Sequence, residues 1–65
     1  MESATFKFKS EKAWLGMLEA LYPIRTGYHI ESHGHKEITA WGADAIEAVR
    51  KNCEECRIAI TEVTE

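Results

Sequence analysis

An α+β fold with the element order β-α-β-β-α-β is predicted for this chain on three observations. The apolar period switches in turn between two and 3.6. Start and stop residues stand where those periods change, Ser10 before the first helical stretch and Pro23 after it. The chain has 65 residues, so these six stretches leave almost no linker. A domain this small buries only about 60% of its unfolded surface, and the 45% apolar content is enough to build its core.

Thr5-Phe6-Lys7-Phe8-Lys9 alternates strictly, with Phe6 and Phe8 on one face and Thr5, Lys7 and Lys9 on the other. Ser10 stands at an N-cap position and Glu11 follows in the first turn. Trp14, Met17, Leu18 and Leu21 then form one helical stripe, opposite Lys12, Gly16 and Glu19. Gly27 opens a second strand, with Tyr28 and Ile30 inward and His29 and Glu31 outward. A turn at Ser32-His33-Gly34-His35 leads to a third strand, Lys36 to Trp41, with Ile38 and Ala40 inward. Matching core to core favours an odd loop, His33-Gly34-His35, which sets Ile30 opposite Ile38, Tyr28 opposite Ala40 and Glu31 opposite Glu37. Asp44 and Glu47 have the spacing of a capping box. Ile46, Val49 and Cys53 repeat on one helical face beside the small Ala45 and Ala48. Glu54-Glu55 reads as the exit loop, and Arg57 to Val63 alternates again with Ile58 and Ile60 inward.

Right-handed strand-helix-strand crossovers in this order imply a four-stranded antiparallel sheet with both helices on one face. This is the ferredoxin-like sandwich, one domain over residues 1–65, and a fold that hosts unrelated functions. Its open face is predicted to bear Lys7, Lys9, His29, Glu31, Glu37, Thr39, Trp41 and Thr61. The second and fourth strands are exposed edges, so a monomer or an edge-paired homodimer is expected.

Composition excludes several classes. One Pro and four Gly rule out a low-complexity chain. No apolar run approaches the ~20 residues of a membrane span. The start, MESATFKFKS, lacks the apolar stretch of a secretory signal, so a cytoplasmic protein is expected. Net charge −3 argues against direct nucleic-acid binding by bulk charge. No catalytic triad, nucleotide-binding glycine loop or paired catalytic acid is visible, so no enzyme is expected.

Three surfaces remain. His29, His33 and His35 with Cys53 and Cys56 are a zinc donor set. The hairpin and the exit of the second helix fall at one end of the sheet, but about two strand spacings of ~4.8 Å intervene. Both cysteines also have a place in the core, Cys53 on the stripe of Ile46 and Val49, Cys56 in phase with Ile58 and Ile60. The expectation is therefore core cysteines and no metal or cofactor, with a zinc or redox role of Cys53 and Cys56 as an alternative. Heavy-metal chaperones of this fold carry paired cysteines after the first strand, where this chain has Lys9-Ser10-Glu11-Lys12. A second surface is the open face, on which Lys7, Lys9 and Trp41 offer a thin platform for nucleic acid. The third is a protein-binding surface. A sheet Trp such as Trp41, rimmed by charge, is a typical anchor, and Glu31, Glu37, Asp44, Glu47, Glu54, Glu55, Glu62 and Glu65 can also build a negative surface that occupies a basic nucleic-acid groove on a partner. Glu47 and Lys51 also form an ordinary i, i+4 pair.

In size, mild acidity and compactness the whole chain resembles small phage and mobile-element inhibitors of the anti-CRISPR kind, some of which mimic the charge of DNA. The resemblance implies a non-enzymatic protein that inhibits a nucleic-acid-binding host complex through an acidic surface. Glu31, Glu37, Trp41, Asp44, Glu47, Glu54 and Glu55 are then the partner-binding candidates.

Overall fold

Strict alternation makes Ser3–Phe8 a strand, β1, whose Ala4, Phe6 and Phe8 are buried while Lys7 is exposed. This computed structural model describes residues 2–24, 27–34 and 36–64. Ser10 caps α1 (Glu11–Leu21) as its side chain accepts from the Ala13 amide at 3.1 Å. Met17 and Leu21 are buried, and Trp14 and Leu18 pack at the edge of the same cluster. The Trp14 indole N–H donates to the Glu37 carbonyl at 3.2 Å, fixing α1 against the sheet. Pro23 lies in a short 3₁₀ turn, Tyr22–Ile24, that ends this helical segment.

Strands β2 (His29–His33) and β3 (Glu37–Trp41) form the hairpin, followed by α2 (Ala43–Glu55) and β4 (Ile60–Thr64). All pairings are antiparallel and the strand order is β2-β3-β1-β4. The product is an α+β domain with a four-stranded antiparallel sheet and two helices, as the periods predict. Phe6, Phe8, Ile38 and Ala40 from the sheet, Met17 and Leu21 from α1, and Ile46, Val49 and Cys53 from α2 belong to one buried cluster. The core therefore lies between one sheet face and the helix layer.

Several local expectations are corrected. The hairpin register is displaced by two residues: Ile30 faces Ala40, Ser32 faces Ile38 and His33 faces Glu37. A shift of two preserves which face is buried, so core matching alone does not choose between the registers. The observed one sets Glu31 opposite Thr39 and removes the Glu31–Glu37 opposition. Lys36, with φ 62°, takes the left-handed position that closes a three-residue hairpin loop; His35 lies outside the described residues. Tyr28 precedes β2 and is 37% exposed, not a core residue.

At α2 the cap position is Gly42, φ 94°, and no side chain caps the helix. The Gly42 amide donates to the Glu2 carbonyl at 2.7 Å, which ties the helix entry to the residue before β1, and α2 starts two residues earlier than a cap at Asp44 implies. Asp44 is thus a first-turn acid facing the helix dipole, not a capping-box residue. At the other end Glu54 and Glu55 are helical, not loop. The Ile58 amide reaches the Cys53 carbonyl at 2.9 Å and the Arg57 amide reaches that of Glu54 at 3.1 Å, a Schellman closure. That closure delays β4 to Ile60 and leaves Cys56 exposed, not in phase with the core.

Candidate functional site

The aromatic and acidic residues gather where β2 begins, β3 ends and α2 starts. Trp41 is the last residue of β3 and half-buried on the outer face. Its cross-strand neighbour His29 stacks on it, ring centres 4.4 Å apart and planes 31° off parallel. His29 Nε2 lies 3.5 Å from Glu31 Oε1, an exposed contact that is an ion pair only when the imidazole is protonated. Tyr28 stands beside this pair and divides two shallow depressions. One, of about 370 Å³, runs along α2 and is lined by Ile24, Tyr28, Asp44, Glu47, Ala48, Lys51 and Asn52. The other, of about 310 Å³, lies between Tyr28, His29, Trp41 and the first turn of α2. Tyr28 and Asp44 line both.

Of the candidate partner-binding residues, the fold brings Trp41, Asp44 and Glu47 to these depressions, with Glu31 next to His29. It does not bring the others there. Glu37 stands between Lys7 on β1 and His33 on β2 in the sheet register. Glu54 and Glu55 sit at the far end of α2, roughly 15 Å from Asp44 at 1.5 Å per residue. Glu65 lies outside the described residues. Tyr28 is the contributor that sequence reasoning assigned elsewhere. Its alternation with Ile30 suggests core, and only the strand start at His29 reveals it as a surface ring.

Charge around the site is partly spent within the fold. Arg50 grips Glu62 with two bonds, Nε to Oε1 at 3.1 Å and an Nη to Oε2 at 2.7 Å, and reaches Glu47 at 3.1 Å. Glu47 therefore pairs with Arg50, not with Lys51. The Arg50 guanidinium holds the Glu62 carboxyl below its ordinary value, helped by the Thr64 hydroxyl and opposed by partial burial. Asp44 has no hydrogen bond or ion pair among the described residues.

On the open face Thr5 and Thr39 share a hydrogen bond of 3.0 Å, and Lys7 is exposed between Glu37 and Thr61. Cys53 is 2% exposed in the core, and burial, with Cys56 adding to it, pushes its thiol up to about 11. Among the described residues no three His, Cys, Asp or Glu side chains gather to hold a metal ion. His29 is committed to Trp41, and His35 is outside the described residues. No helix among the described residues is long and apolar enough to cross a membrane. Comparison with protein-family models, curated proteins and solved structures finds no match.

Proposed function

We propose that this chain is a non-enzymatic binding protein whose acidic, aromatic end docks on a basic macromolecular partner. The partner class is a nucleic-acid-binding host complex, which the docked chain blocks, as an inhibitor of the anti-CRISPR kind would. The observation that carries this reading is the gathering of Tyr28, His29 and Trp41 with the carboxylates of Glu31, Asp44 and Glu47 at one end of the domain. Aromatic side chains supply contact area at an interface, and exposed acids steer a basic partner toward it. The strand order supports a ferredoxin-like scaffold. From the opposite edge it runs β4-β1-β3-β2, and each helix joins two strands that have a third between them. Binding of nucleic acid by Lys7, Lys9 and Trp41 is the less favoured reading, because Lys7 lies beside Glu37. A zinc or redox role that uses Cys53 and Cys56 together is less favoured because Cys53 is buried and held protonated while Cys56 is exposed.

The test is retention from bacterial lysate, with and without nuclease, on the immobilised chain and on a variant carrying Glu31→Lys, Trp41→Ala and Asp44→Lys. The expected result is a nuclease-resistant protein complex held by the native chain and lost with the variant. Its nucleic-acid binding should fall as the chain is added. Recovery only of nucleic acid and its nuclease-sensitive companions overturns this reading in favour of the lysine face.

A further inference from the structure

The depression along α2 has the shape and chemistry of a slot for one long cationic side chain. Its lining combines the apolar Ile24 and Ala48, the aromatic Tyr28 and the carboxylates of Asp44 and Glu47. Tyr28 is 37% exposed, so a ring surface is available for stacking. Glu47 already meets Arg50 at 3.1 Å, whereas Asp44 is exposed and has no partner among the described residues. We propose that this groove seats an arginine side chain of the basic protein partner, with the guanidinium stacked on Tyr28 and paired with Asp44. The inference rests on the docking end argued above and names the group that end recognises.

Arginine fits better than lysine for physical reasons. Its flat, weakly hydrated guanidinium stacks on an aromatic ring and forks onto a carboxylate at the same time. Its alkyl stem would cover Ile24 and Ala48. Two features oppose a cation: Lys51 in the same lining, and the amide end of α2, which no side chain caps. Asp44 sits in that first turn and offsets the amide end. The placement that avoids Lys51 is therefore at the Asp44–Tyr28 junction, where the second depression opens beside Trp41 and can receive the neighbouring residue of the partner.

The test is a nitrogen-15 NMR titration of the full chain with a short peptide carrying two arginines, beside its lysine and citrulline analogues. Citrulline keeps the shape and removes the charge. Saturable shifts are expected at Tyr28, Asp44 and Ala48, and at the Trp41 indole N–H, in the order arginine, then lysine, with citrulline weakest. Asp44→Asn and Tyr28→Ala should each weaken the arginine peptide by about two- to fivefold, the range of an exposed ion pair or cation–π contact. Glu54→Gln should leave its affinity unchanged. Equal binding of the citrulline peptide, indifference to Asp44→Asn and Tyr28→Ala, or shifts centred on Glu54 and Glu55 would each overturn the arginine slot. The lysate experiment separates the two ideas. A complex lost with the triple variant, together with an arginine peptide indifferent to Asp44→Asn and Tyr28→Ala, removes the slot and leaves the docking end standing.

Discussion

Arg57 holds a left-handed backbone, φ 56°, in the position of a Schellman closure that glycine usually fills. A side chain there meets the following carbonyl, at a cost of roughly 1 kcal/mol. Arg57→Gly should therefore stabilise the domain by about that amount, less some added freedom of the unfolded chain. The melting temperature should rise by about 4–8 °C per kcal/mol gained in a domain of this size; an unchanged or lower value would show that the Arg57 side chain contributes more than its backbone costs. Gly42 is the converse case. Its φ of 94° is open to glycine, and although nothing stands within 4 Å of an added Cβ, Gly42→Ala should cost about 1–2 kcal/mol through the backbone alone. Denaturant midpoints would measure both effects. Cys53 and Cys56 are separable by chemistry. At pH 8 a thiol reagent should modify exposed Cys56 at once and Cys53 only on unfolding, because the Cys53 thiol sits near 11 in the fold against an ordinary 9.0. The sign follows from the raised value: the stability linked to protonated Cys53 is whole below pH 9.0 and is lost as pH rises toward 11. Two thiols modified at equal rates in the folded chain would remove this assignment.

At the scale of elements, the Arg50–Glu62 fork ties α2 to β4, an edge strand whose backbone pairs with β1 alone. Glu62 has its carboxyl held below the ordinary 4.5, with the Arg50 hydrogen bonds as the largest cause. Its contribution is therefore present above pH 4.5 and lost as pH falls through the lowered value. Comparing the native chain with Glu62→Gln at pH 7 and at pH 3 should show a stability difference that narrows at the lower pH. Hydrogen exchange at the amides of β4 should rise in the variant at pH 7. A difference of the same size at both pH values would mean that the fork contributes through packing and not through charge. Element by element, the chain is readable where a rule is local. Ser10 caps α1 as its residue type implies, and the stripe of Ile46, Val49 and Cys53 is buried as its spacing implies. The Glu47–Lys51 spacing is local too, but Arg50 takes Glu47 because a strand distant in sequence brings Glu62 to the same guanidinium. The hairpin register fails for a related reason: two registers bury the same face, and the choice falls to loop closure at Lys36 and to the charges across the strands.

For the molecule as a whole, the architecture is legible and the candidate site is only partly so, and one cause explains both. Buried positions are dictated by period, so Phe6, Met17, Ile38 and Val49 declare themselves before any coordinates are known. Surface residues obey no period, and which of them meet depends on how elements end. Tyr28 joins Trp41 and Asp44 only because β2 starts at His29 and α2 starts at Ala43. The same economy makes the domain fragile. Its radius of gyration of 10.3 Å matches the ~10.7 Å expected of a compact 65-residue chain. Among the described residues one cluster serves the sheet and both helices, and no second core holds part of the structure. Ile38 is fully buried on β3, between β2 and β1. Ile38→Ala should cost about 2–5 kcal/mol, close to the whole stability of a domain this small, near 5 kcal/mol. Urea unfolding followed by helix circular dichroism and by the joint fluorescence of Trp14 and Trp41 should give one coincident transition in both chains, displaced toward zero denaturant in the variant. If the variant keeps its helix signal after the tryptophan signal is lost, the helices stand without the sheet. The domain is then two weakly coupled layers and not the single cooperative unit that its shared core implies.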